Sequence, residues 1–291
     1  LWGSSFLWIK IALRGFSPVQ ITFVRLALGV AVLAPVALSR GLRLPNGWRT
    51  WGHLAVAALF ANAIPYALFG LGEQTVGSNV AGALNATTPL WTLVLAVLTR
   101  TERGLAGRRV LGIGLGFAGT MLIFSPWRSV TGIASWGGVA CLAAAASYGI
   151  SYNYMGRFLT GRGLSPLLLS ASQLAAATAL LAAALPIGGR NLPVWRVEAV
   201  VSLLILGVLG TGAAYVLNYR LIAEEGPTAA STVTYLLPVV AVLLGWTILR
   251  EPVTVGMAAG MFLVLGGVAF TQRRASTDGN PRPRDRSNTR A

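Results

Sequence analysis

Arg25 stands about seven residues into an apolar stretch at 18–39, where water does not solvate a cation. A guanidinium there can draw an anionic group such as a substrate carboxylate. Its stem can equally carry the charge out to the outer interface, and the sequence leaves the two readings level. The carboxylates are placed otherwise. Glu73, Glu102, Glu198, Glu224, Glu225 and Glu251 fall at the ends of apolar stretches, and Asp278 and Asp285 in the polar tail. No acid sits mid-stretch, so a proton relay through a deep Asp or Glu is not supported. Glu102 and Glu251 each follow a proline, Pro89 and Pro238, by 13 residues, which is about 20 Å of helical rise. At such a helix end a carboxylate offsets the positive N-terminus of the next helix, and this structural role is favoured over ion coupling. Glu73 is kept with Arg25 as a charge or coupling candidate.

Metal and covalent chemistry have little to use. His53 is the one histidine and Cys141 the one cysteine. Neither a metal site, a catalytic triad nor an intrachain disulfide can be assembled from them, and no cofactor is expected. The run Gly112-Ile-Gly-Leu-Gly-Phe-Ala-Gly119 superficially resembles a dinucleotide loop. No strand precedes it, so close helix packing explains it better. A Walker-type phosphate loop is absent, which argues against ATP hydrolysis by this chain.

The elements that must position these groups are membrane helices. Hydrophobic residues make up 55% of the chain, charged residues only 11%, and the mean hydropathy is +0.67. Soluble domains carry about a quarter charged residues, and so few charges cannot cover a water-exposed surface. Ten apolar segments are expected, at about 1–13, 18–39, 50–71, 77–99, 107–125, 133–158, 165–187, 197–221, 227–249 and 253–272. The first, too short to cross a hydrocarbon core of about 30 Å, reads as the C-terminal part of a helix. Pro65, Pro89 and Pro238 are expected to kink their helices. Trp48, Trp51, Trp127, Trp136 and Trp195 read as interfacial anchors.

The net charge of +15 does not form a patch with interleaved aromatics, so nucleic acid is not a partner. The bilayer and a small-molecule substrate are, and a homodimer is left open. Sixteen of the 23 Lys and Arg fall on the side that holds the tail, six on the other, with Arg25 between. The positive-inside rule then puts both termini in the cytoplasm. The bias to Arg, Ala and Gly suggests a bacterial plasma membrane protein. Residues 273–291 read as a disordered basic tail.

An internal repeat organises the rest. Arg14-Gly-Phe-Ser-Pro18 returns as Arg162-Gly-Leu-Ser-Pro166, at an offset of 148, which also pairs Arg25 with Gln173. Asn62 and Tyr66 return as Thr211 and Tyr215, Asn85 as Thr234, Pro89 as Pro238 and Glu102 as Glu251, at 149. Each copy, 1–125 and 133–272, holds five spans, and an odd number inverts the second copy in the membrane. Such inverted repeats are built around a central site in transporters. Pairs related by the repeat converge on its axis, so Asn62, Tyr66, Asn85, Tyr215 and Thr234 are expected to line a cavity and bind substrate. For Tyr148, Tyr152 and Asn218 substrate contact and interhelical bonding are level, as they are for Trp2, Ser5, Ser151 and Asn153. An interhelical bond of this kind contributes about 1 kcal/mol or less.

Trp2-Gly-Ser-Ser-Phe6, Pro18 before Arg25, and Pro89 through Glu102 ahead of a Gly-rich helix resemble the EamA-type transporters of the drug/metabolite transporter superfamily. Leu237-Pro238 through Arg250-Glu251-Pro252 repeats the pattern. The resemblance implies ten helices, a cavity lined mainly by the first four of each half, and export or uptake of amino acids or other small metabolites. The chain therefore reads as an all-α membrane protein and a secondary transporter working by alternating access, and not an enzyme. The alternatives are a membrane-embedded enzyme, which would want paired carboxylates or a His/Cys cluster, and a non-transporting receptor or scaffold.

Overall fold

Both Arg-Gly-x-Ser-Pro motifs prove to be helix starts. Ser17 Oγ accepts from the Gln20 amide at 3.3 Å while the Gln20 side chain accepts from the Ser17 amide at 2.9 Å, a reciprocal cap. Ser165 Oγ accepts from the Leu168 amide at 3.3 Å, and in both copies proline takes the first helical turn. The computed structural model describes residues 1–72, 75–76, 78–100, 107–125, 135–188, 192–249 and 253–272. Glu73, Glu102, Glu251 and the tail expected at 273–291 lie outside the described residues.

Every element among the described residues is helical. A 3₁₀ turn at Trp2–Ser4 leads into α1 (Ser5–Ala12), followed by α2 (Pro18–Ser39). The third rod is α3 (Trp48–Ala58), a π-helical segment Leu59–Ala63 and α4 (Ile64–Gly72); the fourth is α5 (Ser78–Asn85) and α6 (Thr88–Leu98). Then come α7 (Gly107–Phe124), α8 (Trp136–Phe158), α9 (Pro166–Ala182) and the short α10 (Leu185–Gly188). The eighth rod is α11 (Val197–Gly207), a second π-helical segment Val208–Ala213 and α12 (Ala214–Glu225). The ninth is α13 (Pro227–Ser231), a 3₁₀ turn Thr232–Tyr235 and α14 (Leu236–Leu249), and α15 (Val255–Gln272) is last. Among the described residues six helical stretches are long and apolar enough to cross a membrane, and 166–182 and 255–271 are shorter apolar helices.

The expected proline kinks appear as changes of helix type. Pro65 follows a π-helical segment, Pro89 a non-helical turn at Ala86 and Thr87, and Pro238 a 3₁₀ turn. The second π-helical segment has no proline, since Ala214 stands where the repeat would place one. That irregularity was not legible in the residues.

Glycines set how the rods pack. A Cβ on Gly112 would strike the carbonyl of Gly267, and one on Gly119 the carbonyl of Gly260. As α7 runs forward α15 runs back, so the two helices cross antiparallel at backbone contact. Gly3 meets Val240, and Gly149 meets Trp91. At one end of the rods the Val194 amide donates to Gly15 at 2.8 Å, and Trp195 sits edge-on to Phe16. At another, Arg157 Nη1 donates to the Thr99 carbonyl at 3.2 Å, and His53 Nδ1 lies 2.6 Å from the Tyr154 hydroxyl.

Candidate functional site

Pro65 has no amide proton to offer the carbonyls four and five residues back, those of Ala61 and Phe60. Side chains from other rods take both. Ser147 Oγ of α8 donates to Phe60 at 2.8 Å, and the Tyr215 hydroxyl of α12 donates to Ala61 at 3.3 Å. The same Tyr215 oxygen accepts from Asn62 Nδ2 at 2.5 Å. Asn62 Oδ1 accepts from Gln173 Nε2 at 3.2 Å, and Gln173 Oε1 accepts from the Tyr219 hydroxyl. One buried chain of bonds therefore runs from the third rod through α9 to the eighth. Its members have their polar groups engaged, which a dry interior requires.

The second π-helical segment receives the cation. Arg25 Nε donates to Thr211 Oγ1 at 2.9 Å and Nη2 to the Gly210 carbonyl at 3.4 Å. Trp2 Nε1 donates to that same carbonyl at 3.0 Å. Arg25 is only 7% exposed, and its guanidinium lies 5.7 Å from the centre of the Tyr66 ring. Polar partners on the eighth rod thus hold the guanidinium in a buried place. Between described residues the ion pair formed is Arg220–Glu224, on an exposed helix end. None reaches Arg25.

The other candidate residues divide into two groups. Tyr148 packs on Phe69 with ring centres 6.2 Å apart, and Tyr66, Arg25 and Tyr152 are near enough to act on its phenol electrostatically. The hydroxyls of Tyr66, Tyr148 and Tyr152 and the amide of Asn218 have no hydrogen-bond partner among the described residues. Asn85 stands apart, half-buried, its Oδ1 3.4 Å from Thr88 Oγ1. Thr234 Oγ1 donates to the Ser231 carbonyl of its own rod at 2.8 Å. Pro89 and Pro238 are buried beside their helix breaks.

Tyr219 and Ser147 escaped the sequence reading. For Tyr219 a signal existed, since it follows Tyr215 by four and shares its helix face. A lone serine among alanines gives none. No group of three or more His, Cys, Asp or Glu that could hold a metal occurs among the described residues.

Irregular backbone inside apolar rods, bonded by side chains from the other half of the chain, defines a multi-pass helical membrane protein with a polar centre. The EamA-like transporter family model matches residues 1–125 and 135–273, so the chain belongs to that family. An uncharacterized transporter of Archaeoglobus fulgidus is 28% identical over 94% of this chain and 95% of its own length. The uncharacterized inner membrane transporter YedA of Escherichia coli is 29% identical over 84% of this chain and 78% of its own. A solved crystal structure shares the fold, with a TM-score of 0.75 at 20% identity over 93% of both chains.

Proposed function

We propose that the chain is a secondary carrier that moves small organic metabolites by alternating access between two inverted five-helix halves, residues 1–125 and 133–272. The observation that carries this is a reciprocal set of contacts. Arg25 bonds Thr211, and Gln173, its counterpart, bonds Asn62, the counterpart of Thr211. Gly112 meets Gly267 and Gly119 meets Gly260, and the offset of 148 exchanges the two pairs. A twofold axis relates such pairs, and the antiparallel course of α7 and α15 is what inversion demands. The family model's match to each half supports the same reading.

Two similar halves tied by exchangeable polar contacts can rock about a shared centre without exposing a large apolar surface. On this reading the protein crosses the plasma membrane ten times with both termini cytoplasmic. Flux is by exchange or facilitated diffusion, or is coupled through a helix-end acid such as Glu73, in the direction of export or uptake.

The test is uptake into proteoliposomes from pooled amino acids and other small metabolites, with Asn218→Ala and Tyr152→Phe alongside. Saturable flux, reduced by these substitutions while the protein stays folded, is the expected result. Absence of saturable flux for every pool, with full-length protein folded and inserted, would sink the carrier.

A further inference from the structure

We infer that the transported molecule is an organic acid or amino acid, and that its carboxylate docks on Arg25 between Tyr66 and Tyr148. The inference rests on the carrier reading and names the substrate class for it. A guanidinium carries five N–H donors in a planar fork that matches a carboxylate. Nε and Nη2 are used on Thr211 and Gly210, whereas Nη1 has no acceptor among the described residues. Three of the five donors are thus free. Arg25 is 7% exposed, so this charge has given up most of its water without gaining an anion from any described residue in exchange. Burying an ion without a counter-charge is strongly unfavourable, and an arriving carboxylate removes that deficit. A neutral ligand does not, and an amine makes it worse.

The surroundings suit a carboxylate with an organic body. The Tyr66 ring lies against the guanidinium, and Tyr148, packed on Phe69 one turn along α4 from Tyr66, has a hydroxyl with no partner among the described residues. That hydroxyl can donate to a carboxylate oxygen. Phe69, packed on Tyr148, extends the wall with apolar surface. Tyr66 and Tyr148 belong to the first half and the second, so one docked anion touches both. That is the geometry needed for binding to depend on how the halves are set. The carbonyl of Gly210 and the hydroxyl of Thr211 hold the fork by Nε and Nη2, leaving its Nη1 corner for the ligand.

The experiment uses full-length protein and matched probes: L-amino acids and short monocarboxylic acids, their primary amides, the corresponding amines, and chloride alone. Thermal stabilisation of the detergent-purified protein reads binding, and proteoliposome uptake reads transport. At least one acid should stabilise the wild type and be taken up, with its amide bound about tenfold to a hundredfold more weakly, the loss of one charge-assisted pair. Tyr148→Phe removes a hydroxyl that no described residue uses, so it should fold normally and weaken acid binding severalfold. Arg25→Lys should keep part of the binding, and Arg25→Gln should lose it.

Equal uptake of acids and amides, or acid uptake unchanged in Tyr148→Phe and Arg25→Lys, would overturn this docking site and leave the carrier standing. Stabilisation by chloride alone, with no further effect of any acid, would make Arg25 an inorganic anion site and overturn the substrate class. Saturable uptake of amines alone would also refute it. Flux of nothing at all would refute the carrier itself.

Discussion

Arg25 Nε lies 2.9 Å from Thr211 Oγ1, joining two helices whose contacting residues are 186 positions apart in sequence. Gln173 and Asn62 make the corresponding contact at 3.2 Å in the other half. The two ties occupy the same place in the repeat but differ in kind. One is a charged fork with donors to spare, the other an amide whose two ends are both taken. On the proposed inverted repeat, the charge at position 25 belongs to one half alone, and a substrate that answers it would meet an asymmetric centre.

The closed network predicts a stability cost at Asn62. Asn62→Ala removes the donor to Tyr215 and the acceptor for Gln173, leaving both partners buried. Unfolding in SDS titrations should show a loss of about 1–3 kcal/mol, the cost of stranded buried polar groups. Tyr215→Phe should cost less, and the double variant less than the sum, because both changes break one shared bond. Strict additivity would mean that the bond contributes nothing.

Much of the fold was legible because its signals are local and strong. Apolar runs, Arg-rich turns and the two Ser-Pro caps delimit the rods within a few residues. The π-helical segment around Thr211 was not legible. It holds no proline, and its irregularity rests on Arg25 and Trp2 bonding Gly210 from distant parts of the chain. The division of labour among the candidate residues was not legible either. Sequence groups Asn62, Tyr66 and Tyr215 as cavity-lining residues and leaves Tyr148 level between substrate contact and interhelical bonding. Only the packing shows that Asn62 and Tyr215 bond each other while Tyr66 and Tyr148 keep free hydroxyls.

The glycine crossing predicts two opposite outcomes within one helix. Gly119 faces the Gly260 carbonyl, so Gly119→Ala should cost about 1–3 kcal/mol by overpacking. Gly114 has nothing within 4 Å of where a Cβ would sit. Gly114→Ala should be neutral or stabilising by up to about 1 kcal/mol, through helix propensity alone. Thermal unfolding of the purified variants ranks them, and equal effects would remove the close crossing of α7 and α15.

The two serine caps should differ as their networks do. Ser17 bonds reciprocally with Gln20, whereas Leu168 at the matching place offers Ser165 only its amide. Ser17→Ala should cost about 1 kcal/mol and Ser165→Ala less. The same unfolding measurement decides the order.

Topology offers the most direct test of inversion. Cys141 is the one cysteine, so Cys141→Ala provides a background free of thiols. Ser39 and Leu192 are both exposed; Ser39 is the last residue of the second helix of its half, 18–39, and Leu192 follows that of the other half, 166–182, by ten residues. In an inverted duplication these near-equivalent places open on opposite sides of the membrane; in a same-way duplication they share one. A membrane-impermeant maleimide should label Leu192→Cys in intact cells, and Ser39→Cys only after permeabilisation. Ala223→Cys, exposed at the end of the eighth rod, should follow Ser39→Cys. Labelling of Ser39→Cys and Leu192→Cys from the same side would refute the inverted arrangement. Reversal of all three would keep the inversion and turn the protein over, placing its Arg-rich side outside against the positive-inside rule.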